Sequence, residues 1–292
     1  MKDPAIQNNR MHCTFALVSA IIVSVCVCIG VTMNLVTLYD ENFDHMGIRT
    51  FCMFTVNSNI LMGVTMLLSL PYTVDGLRKS NYHLPNWIVV VMFTGVTATT
   101  LTFLISLFVL APVKGFVLIF TGSRFFLHGL CPVLAIVSFC FFITSHCITR
   151  KETLFALIPV FIYAAVYLTM VVLIGEERGG WNDFYGFATR VPIWIPMLLI
   201  LPLTYGIAAL LRVLHNHTGL LHRKKNAELD RAVYGSVDAL ETAAQMARSR
   251  KRAVVTADIV IPARLIRHIL ENSENPADFN ECCKRYLDAF LE

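Results

Sequence analysis

Hydrophobic residues fall in long unbroken runs rather than alternating, and short polar clusters separate the runs. Six of them reach the roughly 20 residues needed to cross a bilayer: 13–39, 50–72, 87–111, 124–144, 153–174 and 191–212. Each is too long for a strand, and in hydrocarbon the backbone must satisfy its own polar groups. All six are therefore predicted as helices. The pattern changes near His222. Beyond it lie 12 of the 24 Lys and Arg and 11 of the 20 Asp and Glu. The predicted architecture is all-α: a six-transmembrane-helix domain over 1–222 and a soluble helical tail over 223–292.

The tail carries a helix start at Asn275-Pro276, with Asp278 near the positive end of the helix dipole. Phe279, Cys282, Cys283, Tyr286, Leu287 and Phe290 then make one apolar stripe. Such a helix can pack beneath the membrane, on a second copy of the chain, or on a cytoplasmic partner.

Composition removes other classes. With 56% hydrophobic and 15% charged residues in 292, and a mean hydropathy of +0.62, the chain is no ordinary soluble domain. Lys2, Arg10, Arg78, Lys79, Arg150, Lys151 and Arg212 share one side of the predicted spans, which the positive-inside rule makes cytoplasmic. Both termini are expected there, in the plasma membrane if the source is bacterial. The first run has a basic flank but is too long for a signal-peptide core, so it reads as a retained anchor. The net charge of +4 mostly reflects this bias, and no basic–aromatic patch suggests nucleic acid. Nine cysteines show neither zinc nor disulfide spacing. Free buried thiols are expected, with no metal or organic cofactor.

Candidate chemistry lies in the spans. On a helix, Cys52, Thr55, Ser58 and Asn59 form one stripe, with Asn57 turned away. Buried hydroxyls and amides need partners, and the plain alternative is that they join helices. In the fourth span, Pro132 denies a helical partner to the carbonyl of His128, four residues earlier. An imidazole can act as a general base near neutrality, and an ionisable residue inside a span is costly unless used. With the second span starting at Thr50, Thr55 lies about 8 Å and His128 about 6 Å below the same face, at 1.5 Å per residue. A hydroxyl beside a base is the minimal nucleophilic unit. Cys131 is a second, weaker candidate, since a thiol walled by hydrocarbon is a poor nucleophile. Gly95, Thr97, Thr99, Thr100 and Thr102 read as close packing with hydroxyls bonded back to the helix. Trp181 reads as an interfacial anchor, and Asp183 as a solvated loop residue or an orienting partner for His128.

Taken in order, the motifs resemble a known group. They are Phe54-Thr55-x-x-Ser58-Asn59, Gly95-Val96-Thr97-x-Thr99, His128-x-x-x-Pro132, Pro159 with Tyr163 and Tyr167, and Gly180-Trp181. The chain resembles the bacterial six-span Pr6Pr family over about 50–181. Through that family it is similar to the eukaryotic androgen-induced and androgen-dependent membrane hydrolases, which cleave fatty-acid esters of hydroxy fatty acids with a threonine and a histidine. The resemblance implies Thr55 and His128 as that pair. It departs at Asn182-Asp183-Phe184-Tyr185, where an aromatic-proline run is expected, and the tail has no counterpart.

Two functions are expected from these features. In the first, a membrane hydrolase acts on lipid-like esters, with Thr55 as nucleophile, His128 as base and Ser58 or Asn59 steadying the oxyanion. In the second, a non-enzymatic binding, sensing or transport protein uses the polar stripe to line an intramembrane cavity. Six spans without an inverted repeat make the transport variant poor.

Overall fold

The computed structural model describes residues 4–36, 47–79, 83–187, 195 and 198–221, with first-helix side chains from Arg10 onward. The tail lies outside the described residues. Among those described, every regular element is helical. Six helices are long and apolar enough to cross a membrane: Arg10–Val36, Phe54–Lys79, Asn86–Lys114, Gly122–Phe142, Arg150–Ile174 and Leu198–Leu221. Together they make a six-helix, multi-pass membrane bundle within the unit Arg10–Leu221.

Their bounds differ from the apolar runs in an instructive way. The second helix runs through an exposed Pro71 and continues seven residues past Tyr72 to Lys79. The sixth continues nine residues past Arg212 to Leu221. Hydrophobicity marks where lipid ends, whereas a helix ends only where its backbone is capped or broken. The fifth starts at Arg150 because Thr149 and Glu152 form a reciprocal cap: the Glu152 N–H donates to Thr149 Oγ1 at 3.2 Å, and the Thr149 N–H to Glu152 Oε2 at 2.7 Å.

The third span is the axis of the bundle, with 67% of its most apolar window buried against 11% for the fifth. Lipid tails are as apolar as leucine, so helix association here relies on close fit and polar contacts rather than on escape from water. Gly95 shows the close fit. A Cβ there would meet the Met62 backbone at 3.3–3.4 Å. Gly30 is tighter still, its Cβ position lying 2.8 Å from the Leu127 side chain. The threonines of the third span bond back to the helix as expected: Thr97 to Phe93 O at 2.9 Å, Thr100 to Val96 O at 2.6 Å and Thr102 to Ala98 O at 3.2 Å. The first span packs on two others, since Cys13 donates to Thr73 O at 2.9 Å and Ser19 shares a bond with Ser138 at 2.8 Å.

The C-terminal half of the sixth span carries a polar stripe that the hydrophobicity pattern does not announce. Buried His215 meets Phe139 O at 2.9 Å and His146 O at 2.8 Å, and its ring stacks on Phe139 at 4.3 Å. Asn216 pairs with both backbone groups of Ile148, at 2.8 Å each. Thr218 donates to Cys140 O, and Arg212 to Thr153 Oγ1 at 3.2 Å. These bonds staple the sixth helix to the end of the fourth, the start of the fifth and the connection between them.

Candidate functional site

Thr55 is the second residue of a 26-residue helix, not the fifth or sixth. Gly47–Cys52 forms a separate 3-10 turn, closed by Met53 N–H to Thr50 O at 3.2 Å and by the Asn57 amide to Phe51 O at 2.8 Å. Cys52 therefore leaves the predicted stripe. Its carbonyl instead accepts from the Tyr163 hydroxyl at 2.6 Å. Burial pushes the Cys52 thiol up from its ordinary pKa, with Arg49 pulling the other way.

The Thr55 side chain opens into a cavity of about 290 Å³. Leu101, Ile105, Val160 and Leu201 supply apolar wall, while Ser106, Tyr163, Tyr167 and Tyr185 bring hydroxyls to it. Among the described residues, no histidine, aspartate or glutamate lines it.

A cap of aromatic residues closes one end. The Phe54 N–H donates to the Tyr185 hydroxyl at 3.1 Å, and the Tyr185 N–H to the Tyr167 hydroxyl at 3.3 Å. Tyr167 in turn donates to Asp183 Oδ1 at 2.6 Å, which also accepts from Phe187 N–H at 2.9 Å. Asp183 thus organises the loop, and neither reading made of it from the sequence describes that role. Trp181 packs edge-on to Tyr167 at 6.4 Å, inside this cluster. Burial raises the phenol of Tyr185, with its bonds to Phe54 and Tyr163 opposing. The available signal was two tyrosines four residues apart on one span, facing a loop with its own Asp and Tyr.

Ser58 and Asn59 point elsewhere. Ser58 donates to Thr55 O at 3.0 Å and shares a bond with Thr102 at 3.3 Å. Fully buried Asn59 gives its amide hydrogens to Thr55 O at 2.7 Å and Leu127 O at 2.9 Å. Both side chains join helices, and Asn59 has no donor left for an oxyanion. Two carbonyl acceptors fix the orientation of this amide, since a flip would set oxygen against oxygen. Its Oδ1 is then a buried acceptor with no partner.

His128 sits in the widened i→i+5 turn Phe125–Leu130, just before Pro132. Its ring Nδ1 is buried without a partner, and its hydrogen bond goes to the Ile119 carbonyl. Nδ1 is therefore the ring nitrogen left for a further partner. His128 does not line the Thr55 cavity, and no hydrogen bond joins the two side chains. Asn59 is the physical link between them, bonded to the backbone of one and to the residue preceding the other.

Buried Cys131 packs beside Cys26 and also lies off the cavity lining. Seven described cysteines are free, and among the described residues no three His, Cys, Asp or Glu converge as a metal cluster would require. No known protein family, curated protein or solved structure matches this chain.

Proposed function

We propose that this chain is a membrane-embedded hydrolase of acyl-bearing, lipid-like esters, with Thr55 as nucleophile. The single observation behind this reading is the placement of the Thr55 hydroxyl: at the first turn of a long helix, facing a mostly apolar cavity. N–H groups of a first helical turn lack acceptors within the helix, and the dipole there favours negative charge. The Phe54 N–H is given to the Tyr185 hydroxyl and the Asn57 N–H to Met53 O, so the N–H groups of Thr55 and Val56 take the oxyanion role that the sequence pattern assigned to Ser58 or Asn59. The Thr55 oxygen bonds to the acyl carbon and its proton passes to a base, which returns it to the leaving oxygen as the ester C–O bond breaks and the alcohol departs. Water then cleaves the acyl-threonine.

His128 Nδ1 is the base in this scheme. Because the imidazole is off the cavity wall, the proton travels through a bridging water, for which the unused Oδ1 of Asn59 is a second acceptor. The ordered Thr, His and Gly-Trp motifs, similar to those of the Pr6Pr proteins and the related hydrolases, point the same way. The Lys and Arg bias puts the capped end on the extracytoplasmic side.

A second reading keeps the ligand and drops the chemistry. It is a binding, sensing or transport protein, favoured by the absence of histidine, aspartate and glutamate among the described residues that line the cavity. A fluorophosphonate probe on purified protein separates the two. Labelling lost in Thr55→Ala and reduced in His128→Ala supports the hydrolase. Equal labelling of both variants and wild type leaves only the binding reading.

A further inference from the structure

A larger groove of about 730 Å³ runs between the second, third and fifth spans, next to the Thr55 cavity. Phe54 and Tyr163 line both spaces, so this pair is their common wall. Their rings lie 5.1 Å apart at 59°. Two bonds hold the wall in place, Tyr163 hydroxyl to Cys52 O and Phe54 N–H to the Tyr185 hydroxyl.

The groove offers little to a polar ligand. One Asn57 amide hydrogen goes to Phe51 O, Ser58 is bonded to Thr55 O and Thr102, and Thr94 donates to Val91 O at 2.7 Å. The rest of the wall is apolar, and Phe155, Ile158, Ile162 and Val166 are exposed along the fifth span. From Phe155 to Val166 the helix rises about 16 Å at 1.5 Å per residue. That is about half of a ~30 Å hydrocarbon layer, the depth of one leaflet. Trp181 lines the groove too, with the amphipathic ring that suits a membrane interface.

We infer that the groove seats one acyl chain of a membrane lipid and delivers it laterally to the Thr55 cavity across the Phe54–Tyr163 wall. The inference rests on the Thr55 cavity being an acyl site, and it names the route and the substrate class: a bilayer lipid rather than a water-borne ester.

The test uses the full chain in nanodiscs of phosphatidylcholine carrying a photoreactive diazirine acyl chain, with crosslinked peptides mapped by mass spectrometry. Groove peptides containing Val91 and Val166 should label in the wild type. In Leu61→Trp and Ile162→Trp, which fill the groove from opposite walls, that labelling should fall ~10-fold, the affinity equivalent of about two methylenes of lost burial. Val172→Trp, on the lipid face outside the groove, should change nothing. Phe54→Ala should raise labelling of Ser106 and Leu201 in the cavity several-fold. Groove labelling indifferent to both filling variants would mean ordinary surrounding lipid and overturn the seat. Cavity labelling indifferent to Phe54→Ala would overturn the route. None of these readouts needs turnover, so a Thr55→Ala protein that still hydrolyses esters while labelling normally would remove the nucleophile and leave the groove standing.

Discussion

Asn59 donates to the Leu127 carbonyl at 2.9 Å, and through that one bond the second span holds the fourth at the turn that carries His128. The same amide holds Thr55 O at 2.7 Å. Asn59→Ala takes the donor from the Leu127 carbonyl, at about 1–3 kcal/mol for an unsatisfied buried group, while Thr55 O keeps the Ser58 hydroxyl. Thermal unfolding in detergent should drop by several degrees. Asn59→Asp should be no milder, since a carboxylate cannot donate. A melting curve unchanged by Asn59→Ala would mean that the two spans are held without this bond.

Two glycines should respond oppositely to alanine. At Gly95 a methyl meets the Met62 backbone at 3.3–3.4 Å, and backbone cannot swing aside. Gly95→Ala should cost about 1–3 kcal/mol by forcing the spans apart. At Gly206 nothing lies within 4 Å of a built Cβ. Gly206→Ala should be neutral or stabilise by up to ~1 kcal/mol, through helix propensity. Chemical denaturation of both variants checks the pair.

His215→Phe keeps the ring stack on Phe139 and removes both ring nitrogens. It should leave whichever of Phe139 O and His146 O takes the ring N–H short of a donor and loosen the sixth helix from the connection between the fourth and fifth. Hydrogen exchange should rise by roughly tenfold or more across 139–153, as expected for ~1.4 kcal/mol or more of lost local stability. Exchange that rises only in the sixth helix would show that the staple does not bind the connection.

The aromatic cap should weaken in alkali. Burial holds the folded Tyr185 phenol above its unfolded value, so the folded state binds this proton more tightly. The associated stability is fully present below the unfolded pKa of ~10 and is lost as pH rises from there towards the folded value. Wild type should lose stability above about pH 10, and Tyr185→Phe should lose less, as followed by tyrosinate absorbance and melting temperature together. Identical alkaline profiles would place the titrating group elsewhere.

Replacing Thr55 separates its chemistry from its packing. Thr55→Ala should lower ester turnover by ~10³-fold or more, and Thr55→Ser should retain a measurable part of it, with similar melting temperatures for both. Steady-state rates on a fluorogenic long-chain ester decide this. Equal rates in wild type and Thr55→Ala would assign any turnover to another group.

The six spans and the all-helical class were legible without coordinates, because a bilayer demands about 20 apolar residues per crossing and forbids unpaired backbone. The back-bonded threonines beside Gly95 were legible too, being set by contacts within a turn or two. Helix ends were less so: nothing in the hydropathy of Cys52 and Phe54 shows that a 3-10 turn precedes the helix and moves Thr55 to its second position. Which way each polar side chain faces belonged wholly to tertiary structure. Ser58 turns to Thr102, Asn59 to Leu127, and Thr55 to a cavity roofed by Tyr185, 130 residues further along. Sequence spacing fixes angles around one helix. Only the packing of several helices decides which angle meets a neighbour, a cavity or lipid.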